Sequence, residues 1–163
     1  MMTKAPFEAV VADHGATVLR VCRAVLGSHT DAEDAWSETF LSALKAYPEL
    51  PAEANVRGWL VTIAHRKAID VTRARARHAI PTADLPERAG PDLEPSDDAV
   101  WRAVRSLPPR QREVITYRYL GGLDYATIAE LTGGTAAAAR RAASDGLSSL
   151  RARSAAFTLG IDE

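Results

Sequence analysis

Cysteine is nearly absent from this sequence of 163 residues, where Cys22 is the only one. A single cysteine excludes an internal disulfide and suits a reducing compartment. The four histidines are scattered along the chain, so we expect no metal site and no cofactor. No apolar run approaches the roughly 18 residues that a membrane span needs, and the N-terminus leads into no signal-peptide core. These absences predict a cytoplasmic protein without a membrane span.

The net charge of the whole chain is only −1, which taken alone argues against nucleic-acid binding. The charge of individual segments, however, differs strongly from this total. Residues 31–50 and 79–98 are acidic, whereas residues 57–78 and 99–153 are basic. Such alternation indicates segments with different partners, which the total charge conceals.

Apolar residues recur at three- and four-residue steps over the first part of the chain, which predicts three helices. The first helix ends at Gly27, a glycine suited to a helix C-terminus. Thr30 and Glu33 form a capping box for the second helix, whose apolar stripe is Trp36, Phe40, Leu44 and Tyr47. The third helix starts near Val56 and ends among Arg73, Arg75 and Arg77, which no apolar face can accommodate.

Four of the nine prolines lie within residues 81–95, where they prevent a helix. Helical patterning resumes beyond them, and no segment has the pattern of a strand. We therefore predict an all-α protein with two small helical domains, over residues 5–78 and 98–153. A flexible, proline- and acid-rich linker over residues 79–97 joins them, and residues 154–163 form a short tail.

The second domain contains the pattern of a helix-turn-helix between Asp124 and Arg141. In the helix before it, Val114, Ile115, Tyr117 and Tyr119 are predicted to pack inward. Gly133 and Gly134 form the turn, and Thr135 caps the final helix, whose Arg140 and Arg141 can reach phosphates or guanine edges. A corner between two packed helices of a bundle is the alternative interpretation of the same glycines and alanines, and we favour DNA binding.

Other polar segments also have two interpretations. The arginines that end the third helix either bind nucleic acid or only complement the helix dipole. Trp59 belongs either to the core or to a base-stacking platform. The acids at the start of the second helix, Asp31, Glu33 and Asp34, either stabilise that helix or are catalytic carboxylates. No histidine or nucleophile accompanies them, so we expect no enzyme.

Two blocks of sequence, taken in order, resemble a known family. Residues 31–40 (DAEDAWSETF) and 59–70 (WLVTIAHRKAID) are similar to domain 2 of a bacterial sigma factor. Residues 107–114 (LPPRQREV), 117–120 (YRYL) and 125–131 (YATIAEL) are similar to domain 4. Two such domains with only a short linker between them resemble the extracytoplasmic-function (ECF, group 4) type. The resemblance covers residues 5–153.

The resemblance implies a protein that joins RNA polymerase core, recognises a two-part promoter and helps to melt it. It places contacts to the β′ clamp helices on Asp31, Asp34, Ser37, Glu38 and Leu41. It places contacts to the −10 element on Leu50, Pro51, Asn55, His65, Arg66, Lys67, Arg73 and Arg77. It places contacts to the −35 element on Thr135, Ala136, Ala137, Arg140, Arg141 and Ser144. The β-flap and an anti-sigma factor are further implied partners.

The chain departs from the family pattern at several positions. Ser37 stands where Gln is usual, and Arg66 where Asn is usual. Ala139 and Ala143 replace larger apolar residues, which implies a thin core or a recognition helix close to its support. Between the two arginines of that helix, we favour Arg140 as the base reader. Two other functions remain open, a helix-turn-helix regulator that acts without polymerase core and a helical adaptor that binds only protein.

Overall fold

The computed structural model describes residues 3–77, 100 and 102–158, with the backbone alone for 154–158. Its α-helices are α1 (Phe7–Leu26), α2 (His29–Ala46), α3 (Val56–Arg77), α4 (Pro109–Ile115), α5 (Tyr125–Thr132) and α6 (Ala136–Thr158). A 3₁₀ turn spans Tyr47–Glu49, a π-helical turn spans Thr116–Leu120, and these described residues include no strand. The predicted all-α class is therefore confirmed.

The chain divides into two compact units, residues 1–92 and 93–163. The predicted linker over 79–97 lies outside the described residues, and the exact domain bounds stay a prediction. Helix α6 continues past Arg153, where the predicted tail begins, to Thr158. Of the helices described, none has both the length and the apolar character needed to cross a bilayer.

The first unit is a three-helix domain in which α1, α2 and α3 all contact one another. Small residues line the inner face of α2, where Ala32, Ala35 and Ala43 are completely buried. Trp36 lies beside them, and its indole N–H donates to the carbonyl oxygen of Gly15 at 2.8 Å. Phe40 is buried in the same core, whereas Leu41 and Leu44 lie outside it.

Two predictions about α2 are wrong. The helix begins at His29, and its N-cap is Ser28, whose hydroxyl accepts from the backbone N–H of Asp31 at 3.3 Å. The predicted capping box at Thr30 therefore lies inside the helix. Leu44 does not pack inward, since it is 53% exposed; the alanine face of α2 already fills that side. The C-cap at Gly27 is confirmed by its φ of 78°.

The second unit holds α6 against α4 through small residues. Ala139 and Ala143 are buried, and a Cβ added at Gly146 would lie only 2.3 Å from Cδ1 of Ile115. The prediction that this helix lies close to its support is therefore confirmed.

Tyr119, like Leu44, is predicted from the sequence pattern to pack inward but is exposed in the structure. Tyr117 is fully buried, whereas Tyr119 is 55% exposed. The backbone between them is π-helical, with Gly121 N–H bonded to the carbonyl of Thr116 at 3.0 Å. Residues two apart on a helix project about 160° from each other, so the burial of Tyr117 leaves Tyr119 on the outer side.

Candidate protein and nucleic-acid interfaces

The outward side of α2 carries a stripe of exposed residues that mixes acids and leucines. Asp34, Ser37, Glu38 and Leu41, all predicted from sequence, are exposed. They share one side of the helix, because both Ser37 and Glu38 lie three or four residues from Asp34 and from Leu41. Leu44 extends the same stripe by one turn. Leu41 and Leu44 are more than half exposed, so the stripe presents apolar area to solvent beside its acids. We call these five residues the α2 stripe.

Asp31, also predicted to contact the polymerase, does not share this exposure. Its carboxylate lies 2.9 Å from Nη1 of Arg75, and its side chain is only 17% exposed. The ion pair joins the start of α2 to the end of α3. Asp31 therefore has a structural partner within its own domain.

An open groove of about 590 Å³ lies between α2 and α3. It brings together three of the predicted −10 residues, Arg66, Lys67 and Arg73, with Trp59 and Ile63. Cations beside an aromatic ring are the combination that holds single-stranded nucleic acid, through phosphate contacts and base stacking. Asp70 adds one negative charge to the lining.

The other predicted −10 residues are dispersed. His65 is only 5% exposed and lies inside the domain, on the α3 face that packs against its neighbours. Asn55 caps α3, because its side-chain oxygen accepts from the N–H of Gly58 at 3.2 Å. Leu50 is half-buried, whereas Pro51 and Arg77 are exposed.

In the second unit, hydrogen bonds hold α5, the turn and α6 in a helix-turn-helix arrangement. Asp124 caps α5 by accepting from Thr127 N–H at 2.7 Å, which lowers the pKa of its carboxyl group. Gly133 and Gly134 have φ near 90°, a conformation that side chains disfavour. The hydroxyl of Thr135 accepts from Ala138 N–H at 3.0 Å and caps α6 as predicted.

Arg110 is a positioning residue that the sequence patterns did not reveal. Its guanidinium donates to the carbonyl of Gly133 at 3.0 Å and to the hydroxyl of Thr132. It thereby ties α4 to the turn between α5 and α6. The only sequence signal was its position in the LPPRQREV segment, where an arginine has no pattern that distinguishes it from its neighbours.

The exposed face of α6 holds the predicted −35 residues. Ala137, Arg140, Arg141 and Ser144 are exposed, as is Thr135 before the helix, and Ala136 is half-buried. Arg140 differs from Arg141 in its surroundings, since its guanidinium lies over the ring of Tyr125, 5.1 Å from the centroid. Arg118 lies over the same ring at 4.7 Å. A hydrogen bond with Tyr125 raises the pKa of Tyr119.

A two-unit helical protein, with one aromatic and basic groove and one helix-turn-helix, belongs to the class of DNA-binding transcription factors. Comparison with known families defines it further. Residues 10–78 match the family described as Sigma-70 region 2, and residues 97–150 match Sigma-70, region 4.

Curated relatives agree with both matches. The chain is 32% identical over 156 residues to the ECF RNA polymerase sigma factor ShbA of Streptomyces griseus, covering 82% of this chain and 80% of ShbA. It is 34% identical over 127 residues to the ECF RNA polymerase sigma factor BldN of Streptomyces coelicolor. That alignment covers 72% of this chain and 48% of BldN, so the chain spans about half of that relative's length.

A solved structure is similar in fold. The sigma factor RpoE, crystallised in complex with the anti-sigma factor NepR from Bartonella quintana, superposes with a TM-score of 0.64 at 18% identity. The match covers 96% of this chain and 99% of RpoE.

The chain belongs to the ECF RNA polymerase sigma factors. Proteins of this family bind RNA polymerase core and direct promoter-specific initiation of transcription, and they are not enzymes in the catalytic sense.

Proposed function

We propose that this chain binds RNA polymerase core through the α2 stripe and directs initiation by holding promoter DNA at two places. The observation that supports this best is the order of region 2 and region 4 matches within one chain. The chain would act in the cytoplasm, by binding alone and without turnover of its own.

The α2 stripe is the proposed contact to the β′ clamp helices. Its acids supply electrostatic complementarity to a basic partner. Its two leucines supply apolar area that is exposed to solvent in the free protein and would be buried in the complex. Asp31 stands at the edge of this surface and keeps its ion pair with Arg75. We therefore propose that Asp34, Ser37, Glu38, Leu41 and Leu44 contact the polymerase, and that Asp31 holds α2 against α3.

The groove between α2 and α3 is the proposed site for the separated strand of the −10 element. Arg66, Lys67 and Arg73 would hold the phosphates, with Trp59 offering a face for a base. The loop of Leu50, Pro51 and Asn55 precedes α3 and would contact the adjacent bases, and Arg77 would extend the basic surface toward the helix end. We leave His65 out of this surface because it is buried.

The helix-turn-helix is the proposed reader of the −35 element as duplex. In this motif the second helix lies in the major groove and the first crosses the backbone. Helix α6 would therefore present Ala136, Ala137, Arg140, Arg141 and Ser144 to the groove, following Thr135 at its start. An apolar face of this unit would hold the β-flap. An anti-sigma factor is a further proposed partner, since RpoE was crystallised with one.

Reconstituted transcription tests the proposal. Promoter-specific initiation by core enzyme should require this chain, whereas a regulator that acts without core, or a protein adaptor, would not confer it. Asp34→Lys tests the proposed polymerase interface, because it should weaken core binding while the domain stays folded. Asp34 lies beyond the first turn of α2, whose only acid is Asp31, and even a first-turn acid contributes only about 0.3–1 kcal/mol to its own helix. The circular dichroism spectrum of the variant should therefore remain helical. Loss of the fold in this variant would contradict the assignment of Asp34 to the interface.

A further inference from the structure

We propose that Arg141 is the base-reading residue of α6 and that Arg140, held over Tyr125, contacts a backbone phosphate. This assignment rests on the proposed −35 function. It reverses the preference drawn from sequence, which placed Arg140 at the base edges because it lies one turn beyond Ala136 and Ala137.

The first argument is the direction of each arginine around the helix. The face of α6 that packs on the second unit is marked by three buried residues, Ala139, Ala143 and Gly146. At 3.6 residues per turn, Arg141 projects about 160° from Ala139 and from Ala143, directly away from that support. Arg140 projects only about 60° from Ala143, on the flank of the helix.

The exposed residues give the same result. Ala137, Arg141 and Ser144 recur at four- and three-residue steps, so they form one stripe opposite the buried one. Ala137 has no long side chain, and neither does Ser144. Arg141 is therefore the only long side chain of this three-residue stripe, with small neighbours that let the helix enter the groove deeply.

The second argument is what Arg140 contacts. Its guanidinium lies over the ring of Tyr125, the first residue of α5. In a helix-turn-helix the first helix crosses the phosphate backbone while the second enters the groove. A guanidinium held at the start of α5 is consequently placed on the backbone side of the motif.

Neighbouring groups fix that arrangement. Arg118 lies over the same tyrosine ring at 4.7 Å and donates to the carbonyl of Leu123 at 3.2 Å. The carboxylate of Asp124 interacts with Arg118 and is engaged as the cap of α5. Two guanidinium groups thus lie against one ring, and a phosphate oxygen is a ligand that suits either of them. Tyr125 serves as a positioning residue, since it orients Arg140 without itself reading sequence.

A preferred promoter is first selected with the wild-type holoenzyme from a DNA library randomised across the −35 element. The −35 element of that promoter is then varied one base pair at a time, and the affinity of the holoenzyme for each variant is measured. Arg141→Ala should reduce the preference at one −35 position by about 5- to 150-fold. Arg140→Ala should weaken all variants alike and lower the salt slope by about one, with the preferences unchanged. Arg151→Ala, an exposed arginine further along α6, is the control for the loss of one positive charge.

Substitutions of Tyr125 test the positioning step. Tyr125→Leu removes the ring and should reproduce part of the uniform loss seen with Arg140→Ala. Tyr125→Phe keeps the ring face and should restore binding close to that of the wild type. Helical content of each variant, measured by circular dichroism, separates this effect from unfolding.

Two results would overturn the assignment while leaving the proposed function intact. One is loss of a base preference in Arg140→Ala but not in Arg141→Ala, and the other is the same uniform loss for both variants. A wild-type holoenzyme without any −35 preference would instead refute the −35 function itself, and the inference with it.

Discussion

Gly146 offers the sharpest test of how the recognition helix is supported. Gly146→Ala adds a methyl group at a place where α6 packs tightly against α4. The new Cβ would lie 2.3 Å from Cδ1 of Ile115 and 3.4 Å from its Cγ1 and from Cβ of Gln111. Carbon atoms in good contact are about 3.5–4.0 Å apart. The end of the Ile115 side chain must therefore move by more than an ångström.

Two opposing terms set the size of the effect. Overpacking a core by one methylene group typically costs about 1–3 kcal/mol. Ala is favoured over Gly inside a helix by about 0.8–1 kcal/mol. Because Ile115 is only 5% exposed, its displaced methyl group cannot turn out into water. We expect a net destabilisation of the second unit by about 1 kcal/mol.

Ile115→Val supplies the matched partner, because it removes the atom that Gly146→Ala displaces. Alone, this variant should cost about 0.5–1.5 kcal/mol through the lost contacts. Combined with Gly146→Ala it should cost less than the sum of the two, since the added methyl group occupies the vacated space. The coupling between the two positions is the signature of direct contact.

Hydrogen exchange on the full chain, followed by mass spectrometry of peptides from α4 and α6, measures the stability of this unit by itself. A loss of 1 kcal/mol lowers amide protection by about fivefold. Ser149→Ala, at an exposed position on the same helix, is the control for helix propensity. The reasoning is refuted if the amides of α6 are as well protected in Gly146→Ala as in Ser149→Ala. It is also refuted if the free-energy changes of Gly146→Ala and Ile115→Val are additive.

Three further predictions concern other parts of the molecule. Leu44→Ser should weaken core binding without lowering the free energy of unfolding, because Leu44 is half exposed in the free protein; a destabilised domain in thermal unfolding would show that it packs inward. Cys22 should resist iodoacetamide at pH 8 until the protein unfolds, because burial raises the pKa of its thiol to about 12; modification of the native protein at the rate of a free thiol would contradict this. The carboxyl of Asp124 has a lowered pKa when folded, so its contribution to stability is complete above the unfolded value of about 3.9 and is lost as pH falls through the folded value. Exchange of the α5 amides should rise in that acid range for the wild type and should be less pH-dependent in Asp124→Asn, which can still cap the helix.

The ion pair of Asp31 and Arg75 illustrates why the site could be predicted only in part. Sequence patterns identified both as charged residues at helix ends, and the resemblance of the chain to sigma factors assigned Asp31 to the polymerase interface. Whether a first-turn acid faces a partner or a neighbouring helix depends on the crossing of α2 and α3. That crossing is set by packing of residues distant in sequence, so no local pattern determines it.

Local sequence patterns were enough to predict the helical class, the two-domain organisation, the helix-turn-helix, the C-cap of α1 at Gly27 and the N-cap of α6 at Thr135. These features follow from interactions within one turn or one periodic stripe, which neighbouring residues specify directly. The exposure of Leu44 and Tyr119 and the burial of His65 became evident from the packed helices alone. The tertiary structure also places Arg140 over Tyr125, leaving Arg141 to face outward. For Leu44 and His65, a helix has several possible inner faces when small residues compete with large ones, and the face that packs depends on which neighbouring helix fits closest. Tyr119 faces outward because Tyr117, two residues before it, is the one that packs. The contact of Arg140 with Tyr125 joins residues distant in sequence, so no local pattern specifies it.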